Sequence, residues 1–376
     1  MGQLIMAVQH ILAPLKTIPN HIQTIHDYEQ QTSKHVTEKT WHYLQGGAMH
    51  ELSVQENQFQ FQNIQLIPRH LNDFTQANTQ LNLFGIDYPH PIFLAPIGHQ
   101  ALFHPQAEHA TALAAELMQS NFVLSNFTNT DLRHLNKENP YKWFQLYWQG
   151  RETSLSLVKL AEQNLYKAIV ITIDAPHSGI RDRERKVFFE LPTQMQHPHT
   201  SSYFKKSQIQ EGEHPIFHGL MKIAPKWEDI EWLVRHSSLP IILKGVLHSA
   251  DAKKALECGV AGLIISNHGG RILDTTIPPL IALQNIRAIV PAGFPLLLDG
   301  GIRRGSDIFK AIALGANAVL IGRPYIYGLT TAGALGVAHV IRILKEEFEI
   351  TMALMGTTNL NSINSDYIFQ KTIIFR

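Results

Sequence analysis

The sequence predicts an α/β fold of the (β/α)8 class, a TIM barrel, with a helical N-terminal cap and a long loop after the fourth strand. Eight short apolar runs follow one another from about residue 90 onward, longer amphipathic stretches separate them, and several runs end in polar residues. Continuous apolar strands separated by helices indicate parallel strands that are covered on both faces. Eight such units close naturally into a barrel.

The strands and helices of this repeat can be placed from the pattern. The predicted strands are residues 91–98, 122–125, 142–147, 168–174, 240–245, 262–268, 294–301 and 318–324. The clearest predicted helices are residues 107–119, 153–164, 249–259 and 304–315. The last two begin near Ser249 and Gly305 and end at Gly259 and Gly315, which are residue types typical of helix ends.

Two regions do not fit the repeat. Residues 1–90 precede the first strand and contain a helix-like stretch at residues 26–44, so we expect them to cap the barrel. Residues 178–226 connect strands four and five and are much longer than the roughly 2–6 residues of a usual loop, which favours a lid. Neither resembles a separate domain, so residues 1–376 are predicted to form a single domain.

Composition and charge restrict the partners. Lysine and arginine total 32 against 31 acidic residues, a net charge of +1, so nucleic acid and acidic membrane surfaces are not expected partners. The single cysteine, Cys258, excludes an internal disulfide, and the 21 histidines show no metal-ligand spacing, so no metal site is expected. No apolar run reaches the roughly 20 residues of a membrane span, and the N-terminus lacks a basic signal-peptide start. We therefore expect a cytoplasmic protein with a small-molecule partner.

Polar residues stand where the predicted strands end, which is where barrels of this class carry their chemistry. They are Gln145 and Tyr147, Thr172 and Asp174, Lys244, Ser266 and His268, and Arg271 just beyond. Within each pair the residues are two apart and so face the same side of the strand. One histidine or aspartate alone is more often a hydrogen-bonded structural group or a turn former. Several independent strand ends with acid, base and cationic groups favour an active site.

The last two strands are followed by glycine-rich turns that contain Arg303 and Arg323. Barrels of this class commonly hold a phosphate on backbone amides and a helix N-terminus at this place. The glycines could simply make tight turns. Two successive Gly-Arg turns nevertheless favour a phosphate site, so we expect a phosphorylated cofactor.

The motifs resemble those of a known family. SNHGGRILD, LDGGIRRGSDIFKAIALGANAVLIGRP, WFQLY and SGIRDRERK are similar to signatures of the FMN-dependent α-hydroxy acid dehydrogenases and oxidases, which include lactate oxidase, glycolate oxidase and L-lactate dehydrogenase. The resemblance runs from about Asp27 to EFEITMALMG near the C-terminus. It implies FMN, a homotetramer, and oxidation of an L-2-hydroxy acid, lactate-like or glycolate-like, to the 2-oxo acid. Oxygen or a quinone-like acceptor would reoxidise the flavin.

The resemblance also implies a role for each matching residue. His268 would be the catalytic base, with Asp174 on its other nitrogen and Tyr147 near the substrate oxygen. Tyr43, Tyr147, Arg181 and Arg271 would bind the substrate. The residues implied in FMN binding are Pro96, Ile97, Gly98, Ser125, Gln145, Thr172, Lys244, Ser266, Asp299, Gly301, Arg303, Gly322 and Arg323.

Other functions remain open at this point. An FMN barrel of different chemistry, such as isopentenyl diphosphate isomerase, could share the phosphate turns. IMP dehydrogenases need a nucleophilic cysteine at the active face, and Cys258 precedes predicted strand six at the opposite end. A non-catalytic flavin-binding barrel would not need His268, Asp174, Arg181 and Arg271 together. Phe127 stands where glycolate oxidase-like members often carry a larger aromatic residue, so the substrate stays open.

Overall fold

The computed structural model describes residues 12–200 and 212–370 of the chain. The strands are β1 (Ile64–Leu66), β2 (Leu81–Leu83), β3 (Ile86–Tyr88), β4 (Ile92–Leu94), β5 (Phe122–Leu124), β6 (Lys142–Leu146), β7 (Ile169–Thr172), β8 (Ile241–Val246), β9 (Gly262–Ile265), β10 (Leu296–Asp299), β11 (Ala318–Ile321) and β12 (Ile368–Gln370). Strands β4 to β11 form a closed barrel of parallel strands in sequence order, with β11 paired to β4. The eight predicted strands and the (β/α)8 fold are therefore confirmed.

The helices are α1 (Ile25–Thr32), α2 (Glu38–Gln45), α3 (Leu52–Gln62), α4 (Ala107–Leu117), α5 (Arg151–Gln163), α6 (Asp182–Lys186), α7 (Trp227–His236), α8 (Ser249–Glu257), α9 (Pro279–Arg287), α10 (Gly305–Ala313) and α11 (Arg323–Met355). The four helices predicted between strands correspond to α4, α5, α8 and α10. The repeat has one departure, because the fully described connection from β5 to β6 contains only the 3-10 turn Leu132–His134. Gly259 and Gly315 end their helices with φ angles of 77° and 103°, which glycine adopts without strain.

The barrel interior is filled by every second residue of the strands. Its buried cluster includes Phe93, Val123, Trp143, Val170, Ile242, Ile264, Leu297 and Leu320. The hairpin of β2 and β3 adds Leu83 and Tyr88 to the same cluster, and Asn121, directly before β5, donates to the Tyr88 hydroxyl at 3.3 Å. The hairpin therefore closes the N-terminal end of the barrel and leaves the C-terminal end open to a ligand.

The N-terminal segment contains the expected helices and three strands that the sequence pattern did not reveal. Strand β1 pairs antiparallel with the C-terminal β12, and β2 pairs with β3. Helix α1 packs on α11, where the Tyr28 hydroxyl lies 2.8 Å from His339 Nδ1. Each of the three strands spans three residues, too few for an alternating pattern to stand out. Residues 1–11, on which the signal-peptide argument depends, lie outside the described residues.

The connection between β7 and α7 contributes residues 175–191 to the barrel mouth. It contains α6, a π-helical turn at Pro215–Gly219 and a 3-10 turn at Leu220–Ile223. Residues 196–199 are anchored to the loops after β5 and β6, because Asn126 Nδ2 and Gln149 Nε2 donate to His199 O at 2.8 and 3.0 Å. Residues 201–211 of the predicted lid lie outside the described part of the chain. Lid motion stays a prediction.

Helix α11 is the one helix among the described residues that is long and apolar enough to cross a membrane. Of its most apolar window, 72% is buried inside the protein, where it packs against α1, α4 and α10. It also leaves helical geometry at Ala332 and Gly333, whose φ angles are −151° and 57°. These features are those of a core helix.

Candidate active site

A cavity of about 710 Å³ opens at the C-terminal ends of the barrel strands, within the ~300–1,000 Å³ usual for ligand sites. The predicted site residues that line it are Tyr43, Pro96, Ile97, Gly98, Ser125, Tyr147, Arg181, Lys244, His268, Arg271, Asp299, Gly301, Arg303, Gly322 and Arg323. Gln145, Thr172, Asp174 and Ser266 lie behind this lining, each beside a residue in it. The structure thus brings the predicted residues together in one place.

The site continues the inward-facing positions of the strands. The interior residues Trp143, Val170, Ile242 and Ile264 are followed two positions later by Gln145, Thr172, Lys244 and Ser266. Because side chains alternate along a strand, these polar groups point into the same space as the core. The inward face therefore changes from apolar to polar at the open end of the barrel.

His268 lies in a tight turn directly after β9. It and the following Gly269 and Gly270 have φ angles of 58°, 64° and 75°, a region that is uncommon for a residue with a side chain. The Asn267 amide oxygen accepts from Gly270 N at 3.1 Å, and the Asn267 and Asn57 amides exchange two hydrogen bonds of 2.8 Å. This amide pair fixes the turn that presents the imidazole to the cavity.

Asp174 orients the imidazole of His268. The Oδ1 atom of Asp174 lies 3.0 Å from Nδ1 of His268, so the other ring nitrogen, Nε2, is left for a ligand. Burial alone would raise the pKa of Asp174, but His268 and Lys244 outweigh it and hold that pKa below its usual value. An ionised Asp174 requires Nδ1 of His268 to carry a proton, which leaves Nε2 as the hydrogen acceptor.

Gly245 makes room for Asp174. With φ at 103°, a Cβ at this position would lie 2.5 Å from both Cβ and Cγ of Asp174. Only glycine combines this backbone conformation with so close an approach.

Lys244 is a buried cation next to that pair. Its Nζ lies 2.8 Å from Ser266 Oγ and 3.0 Å from Asp299 Oδ2. Burial would lower the pKa of Lys244, but Asp299 and Asp174 more than offset it and raise the pKa above its usual value. The residue therefore carries a fixed positive charge at the cavity wall.

Two arginines share a carboxylate that the sequence analysis did not single out. Arg181 Nη1 and Arg271 Nη2 each donate to Glu184 Oε1 at 3.1 Å. Arg271 Nη1 also donates to the carbonyl oxygens of Tyr43 and Gly46 at 2.8 and 2.6 Å, and its guanidinium lies 5.1 Å from the Tyr43 ring centroid. The only local signal for Glu184 is its position three residues after Arg181 in SGIRDRERK.

Comparison with known sequences identifies the family to which the chain belongs. The sequence model of the family described as FMN-dependent dehydrogenase matches residues 32–370.

The chain belongs to the FMN-dependent dehydrogenase family.

Several oxidases are similar to this chain over nearly its whole length. An L-lactate oxidase of Alicycliphilus denitrificans is 42% identical over 359 residues, which cover 94% of this chain and 98% of that protein. A 2-hydroxyacid oxidase of Dictyostelium discoideum is 36% identical over 355 residues, with 93% and 90% covered. A crystal structure of mandelate oxidase with benzoyl-formic acid is similar with a TM-score of 0.84 and 34% identity, and 93% of this chain and 98% of that chain are covered.

These findings confirm the resemblance seen in the motifs. They also confirm FMN as the cofactor and the assignment as an FMN-dependent oxidoreductase of 2-hydroxy acids. They give no support to the isomerase or to the non-catalytic barrel.

The site of this FMN-dependent dehydrogenase has free polar groups that suit the cofactor. Gln145 Nε2 and Asp299 Oδ1 are buried and have no hydrogen-bond partner among the described residues. A flavin ring offers carbonyl and nitrogen acceptors for an amide donor and a lysine, and ribityl hydroxyls can donate to a carboxylate. Gln145, Lys244 and Asp299 therefore fit FMN, as the motifs imply.

Arg323 has a structural task in addition to its predicted phosphate contact. Its guanidinium donates to the carbonyl oxygens of Leu44, Gln45 and Gly46 at the end of α2, and to Gly269 O at 3.1 Å. Burial, together with the nearby Arg271, lowers the pKa of Arg323 to about 9. Arg303 donates to Ile302 O at 2.9 Å and also lines the cavity. Phosphate binding by the two arginines stays a prediction.

Glycines in the turns after β9 and β10 also have a reason that the sequence did not indicate. A Cβ on Gly301 would lie 2.0 Å from Asn57 O, and one on Gly270 would lie 2.7 Å from Val54 N. Both atoms belong to α3. These glycines therefore accommodate a helix of the N-terminal segment, and for Gly301 this is a reason in addition to the tight turn and the predicted phosphate site.

Proposed function

We propose that this protein oxidises a short L-2-hydroxy acid, lactate-like or glycolate-like, to the 2-oxo acid and passes the electrons to oxygen. The observation that carries the proposal is the His268–Asp174 pair in one cavity with Arg181 and Arg271. Relatives from three bacteria that are 39–42% identical are L-lactate oxidases, which makes L-lactate the first substrate to test.

The arginines supply the carboxylate site. A planar guanidinium matches a carboxylate with two parallel hydrogen bonds. Arg271 is held by the backbone carbonyls of Tyr43 and Gly46, so its orientation is set before a ligand enters. Glu184 offsets one of the two positive charges, which leaves a net charge suited to a substrate with a single carboxylate.

His268 and Asp174 supply the base. Nε2 of His268 accepts the proton that leaves the substrate, and the carboxylate 3.0 Å from Nδ1 stabilises the imidazolium that results. The base is needed whether C2 loses a proton or a hydride, because a proton leaves the substrate in either case. FMN, when bound, supplies the two-electron acceptor that protein side chains lack.

Lys244 and Tyr147 complete the proposed machinery. Lys244 is a permanent cation at the cavity wall and would stabilise negative charge on FMN held there. Tyr147 lines the cavity from the end of β6, and we assign it to the substrate oxygen, as the family motif implies.

The test is anaerobic reduction of the FMN-loaded protein. L-lactate and glycolate should bleach the flavin absorbance, and D-lactate should not. His268→Gln should retain FMN and lose the bleaching. Mixing the reduced enzyme with oxygen or a quinone analogue then compares the acceptors, and we expect oxygen to be effective. A flavin that stays oxidised with every 2-hydroxy acid would refute the proposal.

We also propose a homotetramer in the cytoplasm. The family resemblance supports the tetramer, and exposed apolar side chains such as Leu117 on α4 and Leu354 on α11, 71% and 69% exposed, offer surface for a subunit interface. Light scattering of the purified protein tests the tetramer, and a monomeric mass would refute it. Cell fractionation tests the location.

A further inference from the structure

His99 is a cavity-lining side chain that the proposed mechanism does not use. It follows Gly98 in the loop after β4, has a φ angle of 58°, and is only 9% exposed. Its Nδ1 is enclosed by protein without a hydrogen-bond partner, and Nε2 makes no hydrogen bond within the described ranges either. A buried polar group without a partner is costly, so an imidazole at a ligand cavity suggests a partner on the ligand.

The ring of His99 is held in place by its neighbours. Its centroid lies 4.8 Å from that of His197, 5.5 Å from that of Phe127 and 6.3 Å from that of Tyr43. The backbone N–H of His99 donates to Phe127 O at 3.0 Å. His197 belongs to the segment 196–199, which is anchored on the barrel mouth. The imidazole therefore presents one edge to the cavity and has little freedom to turn away.

The charge state of His99 restricts what it can bind. Burial, together with His197, Arg181 and Arg271, lowers the pKa of His99 to about 3, so the ring is neutral in the physiological range. An enclosed N–H without an acceptor is costly, so we assign the proton of the neutral ring to Nε2 and leave the enclosed Nδ1 bare. A neutral Nε2–H donor suits a hydroxyl or carbonyl oxygen better than it suits a second carboxylate.

The position of His99 in the barrel indicates which part of the substrate it meets. His268 follows β9, while Phe127 follows β5, the strand opposite β9 in the eight-stranded ring, and His99 follows the adjacent β4. If the arginines bind the carboxylate and His268 faces C2, the remaining substituent of the substrate extends toward the β4–β5 side. His99 and Phe127 form the wall on that side.

We propose, building on the function proposed above, that His99 determines specificity by donating a hydrogen bond from Nε2 to an oxygen on C3 of the substrate. The preferred substrates are then 2-hydroxy acids with a hydroxyl group on C3, rather than those with a plain methyl group. Phe127, across from the hydrogen bond, provides the apolar side of the same pocket.

The test compares L-glycerate with L-lactate, which differ by the C3 hydroxyl. In the FMN-loaded enzyme, His99→Leu should lower the ratio of kcat/KM for L-glycerate to that for L-lactate by about threefold to tenfold, the effect of one neutral hydrogen bond. His99→Gln, which keeps a donor of similar reach, should hold the ratio near the wild-type value. An unchanged ratio in His99→Leu, or an equal loss for both acids, would overturn the proposal.

A binding measurement separates this proposal from the proposed function. Hydroxypyruvate and pyruvate differ by the same hydroxyl, and their Kd values can be read from the flavin absorbance without turnover. The same threefold to tenfold loss of preference is expected in His99→Leu. His99→Phe, which keeps a ring without nitrogen atoms, serves if the leucine variant does not bind FMN. If no hydroxy acid reduces the flavin, the proposed function fails, while the Kd ratio still decides the role of His99.

Discussion

The substitution Asp174→Asn removes one negative charge from the proposed base and preserves the shape of the side chain. Asp174 Oδ1 lies 3.0 Å from His268 Nδ1, and the asparagine oxygen can accept the same hydrogen bond. Asp174 does not line the cavity, and neither Gln145 nor Asp299 is among its hydrogen-bond partners. We therefore expect the variant to bind FMN and to lose the electrostatic support that Asp174 gives to the imidazolium, together with part of the support that it gives to the charge of Lys244.

The size of the loss follows from the distance. Two unit charges 3.0 Å apart attract by about 5 kcal/mol at an effective dielectric constant of roughly 20. The His268 and Asp174 side chains are 22% and 14% exposed, so solvent screening reduces this to about 3 kcal/mol. A barrier higher by that amount slows reduction of the flavin by L-lactate about a hundredfold. Anaerobic stopped-flow measurement of flavin absorbance gives this rate directly.

Asp229→Asn provides a matched control. Asp229 lies on α7, outside the cavity, and its carboxylate pairs with Arg151 at 2.8 Å. Removal of this charge should leave the rate of flavin reduction unchanged. If Asp174→Asn retains FMN and is reduced at the wild-type rate, the charge of Asp174 has no part in the reaction and the assignment of the pair is wrong.

Three further predictions follow from the contacts of the site and the core. Gly245→Ala should push Asp174 aside, because the new Cβ would lie 2.5 Å from the Cβ and Cγ of Asp174. Reduction of the flavin should slow at least tenfold and the Tm should fall, and wild-type kinetics would contradict this prediction. Arg271→Lys should raise the KM for L-lactate about 10- to 100-fold with FMN retained, since lysine cannot replace a bidentate guanidinium. The pKa of buried His90 is lowered from 6.5 to about 4, chiefly by burial, and its ring already accepts with Nδ1 and donates with Nε2. The contribution of the neutral His90 ring to the free energy of unfolding is therefore full above pH 6.5, and about 3 kcal/mol of it is lost as the pH falls toward 4. Urea unfolding should show that the free energy of unfolding decreases over this pH range, and His90→Gln should make the decrease smaller.

The barrel and the polar strand ends at the cavity could be predicted because both depend on local periodicity, whereas the other predicted lining residues came from the family motifs. Each apolar run is a strand buried on both faces, and the inward register of Trp143 and Ile264 extends unchanged to Gln145 and Ser266. A period of two positions the polar side chains without any knowledge of their long-range contacts. The family motifs added the roles, and these require experiments such as those described above.

The contacts that escaped prediction join parts of the chain that are far apart. The amides of Asn57 and Asn267 form a mutual pair across 210 positions, and no local pattern links them. His99 resembles any polar residue after a strand until its unpaired ring is seen at the cavity. Glu184 lies among charged residues typical of an exposed helix, yet its side chain is only 14% exposed because two arginines bind it.

The N-terminal segment takes part in the candidate active site, because Tyr43 and Leu44 line the cavity. The Gly46 carbonyl at the end of α2 accepts from both Arg271 and Arg323, at 2.6 and 2.9 Å, and the cations suit the negative end of the helix dipole. Helix α3 occupies the space left by the missing Cβ of Gly270 and holds the turn through Asn57. The three consecutive left-handed residues that present His268 are thus supported by two helices that precede the barrel in sequence. Because the proposed substrate arginine, Arg271, and the proposed base, His268, depend on the same helices, we expect a change in the packing of α2 or α3 to affect substrate binding and proton transfer together.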